Sequence, residues 1–245
     1  VKVTICVLVA QGFPVPAEFL KAYSLLQQHV LQGLGNELLP EERRIDAVRI
    51  LFESNFPVDF GRNHATAAFL DAQDGGDYLL FLDADMAHPP MLLHRLIKHD
   101  LDVVTARYVM RKPPFFTVAM RKVGDGPEEY QALEKLMDPE QVRGLLPIDA
   151  GGAGALLISR RCLETIRSRV GDDWFRYQNG AAGLRSRSED MWFYEQAKAA
   201  GFQPFLDADT ECGHIGQFLL DQTFHKPYHD AYGRHTASEI TGAPA

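Results

Sequence analysis

Apolar positions along the chain alternate and cluster in a way that predicts an orderly first half. Val3 to Val9 is rich in β-branched residues and breaks at Gln11-Gly12-Phe13-Pro14, the punctuation of a strand running into a loop. Phe19, Leu20, Tyr23, Leu26, Val30 and Leu31 then recur at three-to-four spacing, which predicts a helix closed by Gly33. Arg49 to Glu53 reads as a second strand, followed after Asn55 and Pro57 by a helix from about Asn63 to Ala72. Asp77 to Asp83 carries Tyr-Leu-Leu-Phe-Leu, whose unbroken apolarity predicts a strand buried on both faces. A helix opens at His88-Pro89-Pro90 and runs through Leu92, Leu93, Leu96 and Ile97, and Asp102 to Tyr108 is the next strand.

Strand and helix in turn predict the α/β class, with a mostly parallel central sheet flanked by helices on both faces. The second half reads as mixed. Phe115 to Lys122 is expected to be a strand, Glu128 to Met137 an acidic helix, Gly151 to Gly154 a turn and Ala155 to Ser159 a strand. A helix follows from Arg161, another from Glu189 to Ala200 is stopped by Gly201, and Phe202 to Leu206 is extended. No repeat, low-complexity tract or linker divides the chain, so one domain over residues 1–245 is expected.

Composition narrows the function classes. The chain is 46% hydrophobic and 24% charged, as globular proteins are. Its net charge of −8 repels phosphate backbones and anionic membranes, which disfavours nucleic acid as a partner. Cys6, Cys162 and Cys212 form no C-x-x-C pair, which points to a reducing compartment and a cytoplasmic location. The early apolar run Val3 to Ala10 is too short to span a bilayer, and no transmembrane segment is expected.

The chemistry concentrates at Phe81-Leu82-Asp83-Ala84-Asp85-Met86, an apolar strand ending in two carboxylates two residues apart. Extended geometry puts both on one side. Two like charges about 4 Å apart repel by about 4 kcal/mol at an effective dielectric of about 20, so the pair calls for a cation, a shared proton or a donor-rich ligand. The carboxyl ends of parallel strands are also where open α/β sheets bind ligands. The plain structural reading is that both aspartates end the strand and cap the next helix.

Ser188-Glu189-Asp190-Met191 and Cys212-Gly213-His214-Ile215-Gly216 follow downstream. With them the chain resembles the GT-A fold glycosyltransferases, particularly family 2, in which D-x-D, E-D and H-x-G motifs occur in this order. Gly61-Arg62-Asn63 is similar to the family's A-R-N segment, and Gly151 to Gly154 to its glycine-bearing turn near the transferred sugar. The resemblance implies a Rossmann-like nucleotide-sugar-binding half over residues 1–110 and a mixed acceptor half over 111–220; the tail over 221–245, with His225, His229 and His235, is expected to be loop or a short helix that can act as a lid. It implies a donor site at Ala10, Gln11, Arg62, Asp83, Ala84, Asp85 and Gly152. It also implies a Mn²⁺ or Mg²⁺ ion held by Asp85 and His214, with Asp83 facing the ribose and reaching the ion through water. An oxygen-rich site with one imidazole leans towards manganese.

By the same resemblance Asp190, with Glu189 as the second choice, would deprotonate an acceptor hydroxyl in an inverting hexosyl transfer from a nucleoside diphosphate sugar. In a retaining enzyme Asp190 would position substrate instead. Ser186-Arg187-Ser188-Glu189 also reads as a capping box, compatible with either role. Arg62 has two readings, a contact to base or phosphate and a solvated arginine at a helix start. Arg107, Arg111 and Lys112 form a basic loop that can meet diphosphate or acceptor. The acceptor class stays open: glycan, lipid-linked sugar, metabolite, protein or, less favoured, a hydroxylated base in DNA. Two rivals remain, a nucleotidyltransferase of similar fold and a non-catalytic sugar-binding module. The neutral segment Gln11 to Pro16 lacks the basic, glycine-rich signature expected of the first.

Overall fold

In the computed structural model, residues 1–10, 12, 14–54, 56–111, 114–124, 129–179 and 185–216 are described. The strands and helices are β1 (Lys2–Val9), α1 (Ala17–Leu31), β2 (Ala47–Ser54), α2 (Val58–Asp71), β3 (Tyr78–Asp83), β4 (Met86–Ala87), α3 (Leu92–Ile97) and β5 (Val103–Arg107). They continue as β6 (Ala119–Lys122), β7 (Tyr130–Ala132), β8 (Leu145–Pro147), β9 (Ala150–Gly151), β10 (Ala155–Ser159), α4 (Arg160–Val170), β11 (Gln178–Asn179), β12 (Arg185–Arg187), α5 (Glu189–Ala199), β13 (Phe205–Glu211) and β14 (Gly213–His214). Residues 1–215 form one compact unit. Among the described residues no helix is long and apolar enough to cross a membrane.

The central sheet has seven strands in the order β2-β1-β3-β10-β5-β13-β8. Five of them run the same way, and β10 and β8 run against their neighbours. The α/β class and mostly parallel sheet expected from the sequence are therefore present. Period-two alternation divides the strand residues between two cores. Cys6, Leu8, Leu79 and Phe81 pack with Ala65 and Phe69 of α2, Leu163 and Ile166 of α4, and Phe193 and Ala197 of α5. Ile5, Val7, Leu80 and Leu82 pack on the other face with Phe19 and Leu26 of α1 and Leu93 and Leu96 of α3. Each such Leu, Ile, Val or Phe side chain stabilises the fold by about 1.5–3 kcal/mol relative to exposure, and helices cover both faces.

Several local expectations shift. The acidic segment expected to be a helix over 128–137 is instead β7 and a 3₁₀ turn at Leu133–Lys135, with Glu128 outside the described residues. Tyr130 to Ala132 pairs with Met120 to Lys122, and that long-range ladder overrides local helical preference. The helix expected from Asn63 starts at Val58, directly after Pro57. The helix expected from His88 starts at Leu92. The strand expected over 115–122 is confined to β6, and the one expected over 202–206 lies later, at Phe205–Glu211.

The turn between β9 and β10 crosses beneath Tyr108, whose hydroxyl accepts from Gly154 N at 3.1 Å. A Cβ on Gly152 would lie 1.9 Å from the Tyr108 hydroxyl, so only glycine fits there. Gly152→Ala is expected to cost about 1–3 kcal/mol in chemical denaturation. The same substitution in a Tyr108→Phe background is expected to cost less, because the first atom struck is gone.

Candidate active site at the carboxyl end of β3

β3 ends at Asp83, where Asp83 N donates to Gly154 O at 3.0 Å and Ala84 N donates to Leu8 O at 2.8 Å. Ala84 and Asp85 form a turn before β4. The two carboxylates expected to share one side have different partners. Asp83 is turned to Arg62, and Asp85 to Arg111 and His214.

Arg62 lies on the buried stripe of α2 with Ala65, Thr66 and Phe69. It is only 1% exposed, so the solvated reading of this arginine is wrong. Its Nη2 donates to both oxygens of Asp83 at 3.2 Å, and its Nη1 donates to Ala153 O at 3.2 Å. Its Nε lies 3.5 Å from Asp190 Oδ1 and 3.8 Å from Glu189 Oε1. The guanidinium also sits over Phe81 and Phe175, 5.4 and 5.7 Å from the ring centroids. Burial works against its charge, but Asp83, Asp190 and Glu189 outweigh that and hold it protonated.

Glu189 and Asp190 open α5, and the cap is Ser188, whose hydroxyl accepts from Met191 N at 3.3 Å. The cap thus lies two residues after Ser186, and with Met191 in the third position the expected capping box does not form. Three carboxylates around one cation leave an excess of negative charge. Burial, with Glu189 and Asp83 adding to it and Arg62 opposing, pushes Asp190 up to about 8. Burial also raises Asp83 against the pull of Arg62. Asp190 Oδ1 and Arg62 Nε have no hydrogen-bond partner, although they face each other.

His214 reaches the site because β14 pairs with β4, setting His214 opposite Met86, while Ile215 N donates to Asp85 O at 2.8 Å. Its Nδ1 lies 2.7 Å from Val109 O, a carbonyl that only accepts, so Nδ1 donates to it. Its Nε2 is then directed to Asp85 Oδ2 at 3.6 Å. Burial raises Asp85, but His214 and Arg111 outweigh it and hold the carboxyl below its ordinary value.

The divalent ion implied by the resemblance can be tested against these donors. Asp83 is engaged by Arg62, which leaves one carboxylate and one imidazole. Among the described residues no group of three or more His, Cys, Asp or Glu side chains is gathered to hold an ion by itself. The imidazole is nonetheless oriented by a backbone carbonyl as metal-binding histidines usually are. Asp85 and His214 fit an ion that draws its remaining ligands from diphosphate and water.

Of the other expected donor residues, Ala10 is exposed at the end of β1, beside a shallow depression lined by Leu8, Glu53, Phe56 and Gly61. Gly152 is buried under Tyr108, and its carbonyl accepts from the Tyr194 hydroxyl at 3.1 Å. Gln11, Lys112 and the tail with His225, His229 and His235 lie outside the described residues. The sequence alone missed the hub role of Arg62. Its signal is the spacing Val58, Arg62, Ala65, Phe69, which marks a buried stripe once the helix is started at Val58.

No known family profile matches the chain, and no curated protein matches its sequence. Solved structures do. A197 from STIV is similar with a TM-score of 0.51 and 16% identity over 86% of this chain and 85% of that one. GalNAc-T7 with UDP, GalNAc and Mn²⁺ gives 0.44 and 13% over 87% of this chain and 43% of that one. The inositol-1-phosphate CTP transferase from T. maritima gives 0.41 and 10% over 90% and 93%. The likeness to A197 shows a shared fold; the other two are too distant to add to it.

Removing the buried cation leaves three carboxylates without a partner, so Arg62→Met is expected to cost about 3–5 kcal/mol in denaturant titrations, and Arg62→Lys less. The pH dependence has a definite sign. A carboxyl raised from 3.8 to about 8 gives stability that is full below pH 3.8 and lost as pH rises through about 8. The wild-type melting temperature is expected to fall between about pH 4 and pH 8 and to level off above that. Asp190→Asn should flatten that fall and be more stable than wild type at pH 9.5 by about 1–3 kcal/mol.

Proposed function

We propose that the chain is a metal-dependent glycosyltransferase of GT-A type, moving a hexose from a nucleoside diphosphate sugar to an acceptor hydroxyl with inversion. Residues 1–110 bind the donor in this reading, and 111–220 shape the acceptor side. The observation that supports it is convergence: Asp83 and Asp85 from the end of β3, Glu189 and Asp190 from the start of α5, and His214 from β14 meet around one turn. Segments more than a hundred residues apart gather their carboxylates at the end of the sheet where α/β proteins take ligands.

In this reading Asp85 and His214 hold the ion, which when bound supplies positive charge to the departing diphosphate. Asp83, fixed by Arg62, faces the ribose. Asp190 is the base. One-fifth of its side chain is exposed, and its raised pKa of about 8 makes it a stronger proton acceptor than an ordinary aspartate. Arg62 keeps the carboxylate aimed and limits how far its pKa can climb. Transfer should therefore increase with pH as Asp190 loses its proton.

Thermal unfolding with a panel of nucleotide sugars, with and without Mn²⁺, tests the reading. One donor at 100 times its dissociation constant is expected to add about 2.7 kcal/mol, only with metal present. Asp85→Asn should abolish that shift. Asp190→Asn should keep the shift but lower the transfer rate by about 10² to 10⁴. Donor binding without turnover in wild type would identify a sugar-binding module instead, and release of pyrophosphate from a nucleoside triphosphate would identify a nucleotidyltransferase.

A further inference from the structure

Three arginines stand near the candidate site, and they differ in freedom. Arg62 is buried and locked among three carboxylates. Arg107 is partly covered and tied to Val142 O at 3.2 Å and Glu211 at 3.5 Å. Arg111 is different: half of its side chain is exposed, and its Nη1 rests on Asp85 Oδ2 at 2.8 Å. That is the same oxygen that faces His214 Nε2 at 3.6 Å. The guanidinium therefore sits on the oxygen an ion held by Asp85 and His214 would require.

A guanidinium and a divalent cation on one carboxylate oxygen disfavour each other, because like charges at such separations repel. An ion arriving alone has to displace Arg111 into water. An ion arriving with a diphosphate offers that guanidinium a new anionic partner, and arginine suits phosphate oxygens through its planar fork of donors. We infer that Arg111 occupies the cation position on Asp85 in the ligand-free protein and transfers to the diphosphate when ion and donor bind together. The inference rests on the metal-dependent reading above and adds a positioning role for Arg111: it makes ion binding depend on the diphosphate.

Mn²⁺ binding to the full chain, followed at low ionic strength by the electron paramagnetic resonance of free Mn²⁺, gives the first reading; low salt is needed because exposed ion pairs are screened. Inorganic pyrophosphate premixed with Mn²⁺ gives the second by calorimetry, independent of any nucleobase or sugar. Arg111→Gln is expected to bind Mn²⁺ alone about fivefold more tightly than wild type, the scale of one exposed ion pair, and to bind Mn²⁺-pyrophosphate more weakly than wild type. Arg111→Lys, which keeps the charge, should retain the weak binding of Mn²⁺ alone. Changes of opposite sign with the two probes are not what a merely structural arginine produces. Equal Mn²⁺ affinities in wild type and Arg111→Gln, or weakening with both probes, would overturn the inference while leaving the metal site standing. Absence of Mn²⁺ binding in every variant, with and without pyrophosphate and unchanged by Asp85→Asn, would remove the metal reading itself and this inference with it.

Discussion

A single guanidinium organises the candidate site. Arg62 is almost wholly buried between α2, the end of β3 and the start of α5, and it contacts a carboxylate of the D-x-D segment and both carboxylates of the E-D segment. Buried charges persist only when they are paired and hydrogen-bonded, so each partner restrains the others. The neighbouring packing serves this arrangement: Phe81 and Phe175 meet edge to face beside the cation, and Phe175 stacks on Phe193 of α5 at 4.9 Å.

The charge imbalance around that arginine has a chemical meaning. Burial, with two further acids beside the single cation, leaves Asp190 a proton that is held more tightly than a surface aspartate holds it. Asp85 lies in the opposite environment, with Arg111 and His214 favouring its ionised form. Two aspartates in one cleft are thus driven apart in acidity by their surroundings, a pattern that separates proton acceptor from ion ligand.

Much of this was legible in the sequence and some was not. The apolar runs at Val3–Val9 and Tyr78–Leu82 declared buried strands, because side chains packed on both faces leave no polar positions. Asp83, Asp85, Asp190 and His214 were picked out by residue type and order, and they lie around one turn. Arg62 had two readings, one of them solvated, because the helix was started too late; its inward direction depends on a first turn that begins at Val58. The segment 128–137 was misread because its partner strand at Ala119–Lys122, not its own composition, decides its conformation. The differing orientations of Asp83 and Asp85 depend on a turn held by bonds to Leu8 and Gly154, which no local pattern records.

The two ends of the candidate metal site are not equally anchored. Asp85 follows directly from a strand in the middle of a seven-stranded sheet, whereas His214 is held by a two-residue ladder to β4, a ring bond to Val109 O and one bond beyond it. So short a ladder can open locally at a small fraction of the global unfolding free energy. The imidazole is therefore the less firmly anchored of the two, and its place beside the aspartate depends on a ladder only two residues long.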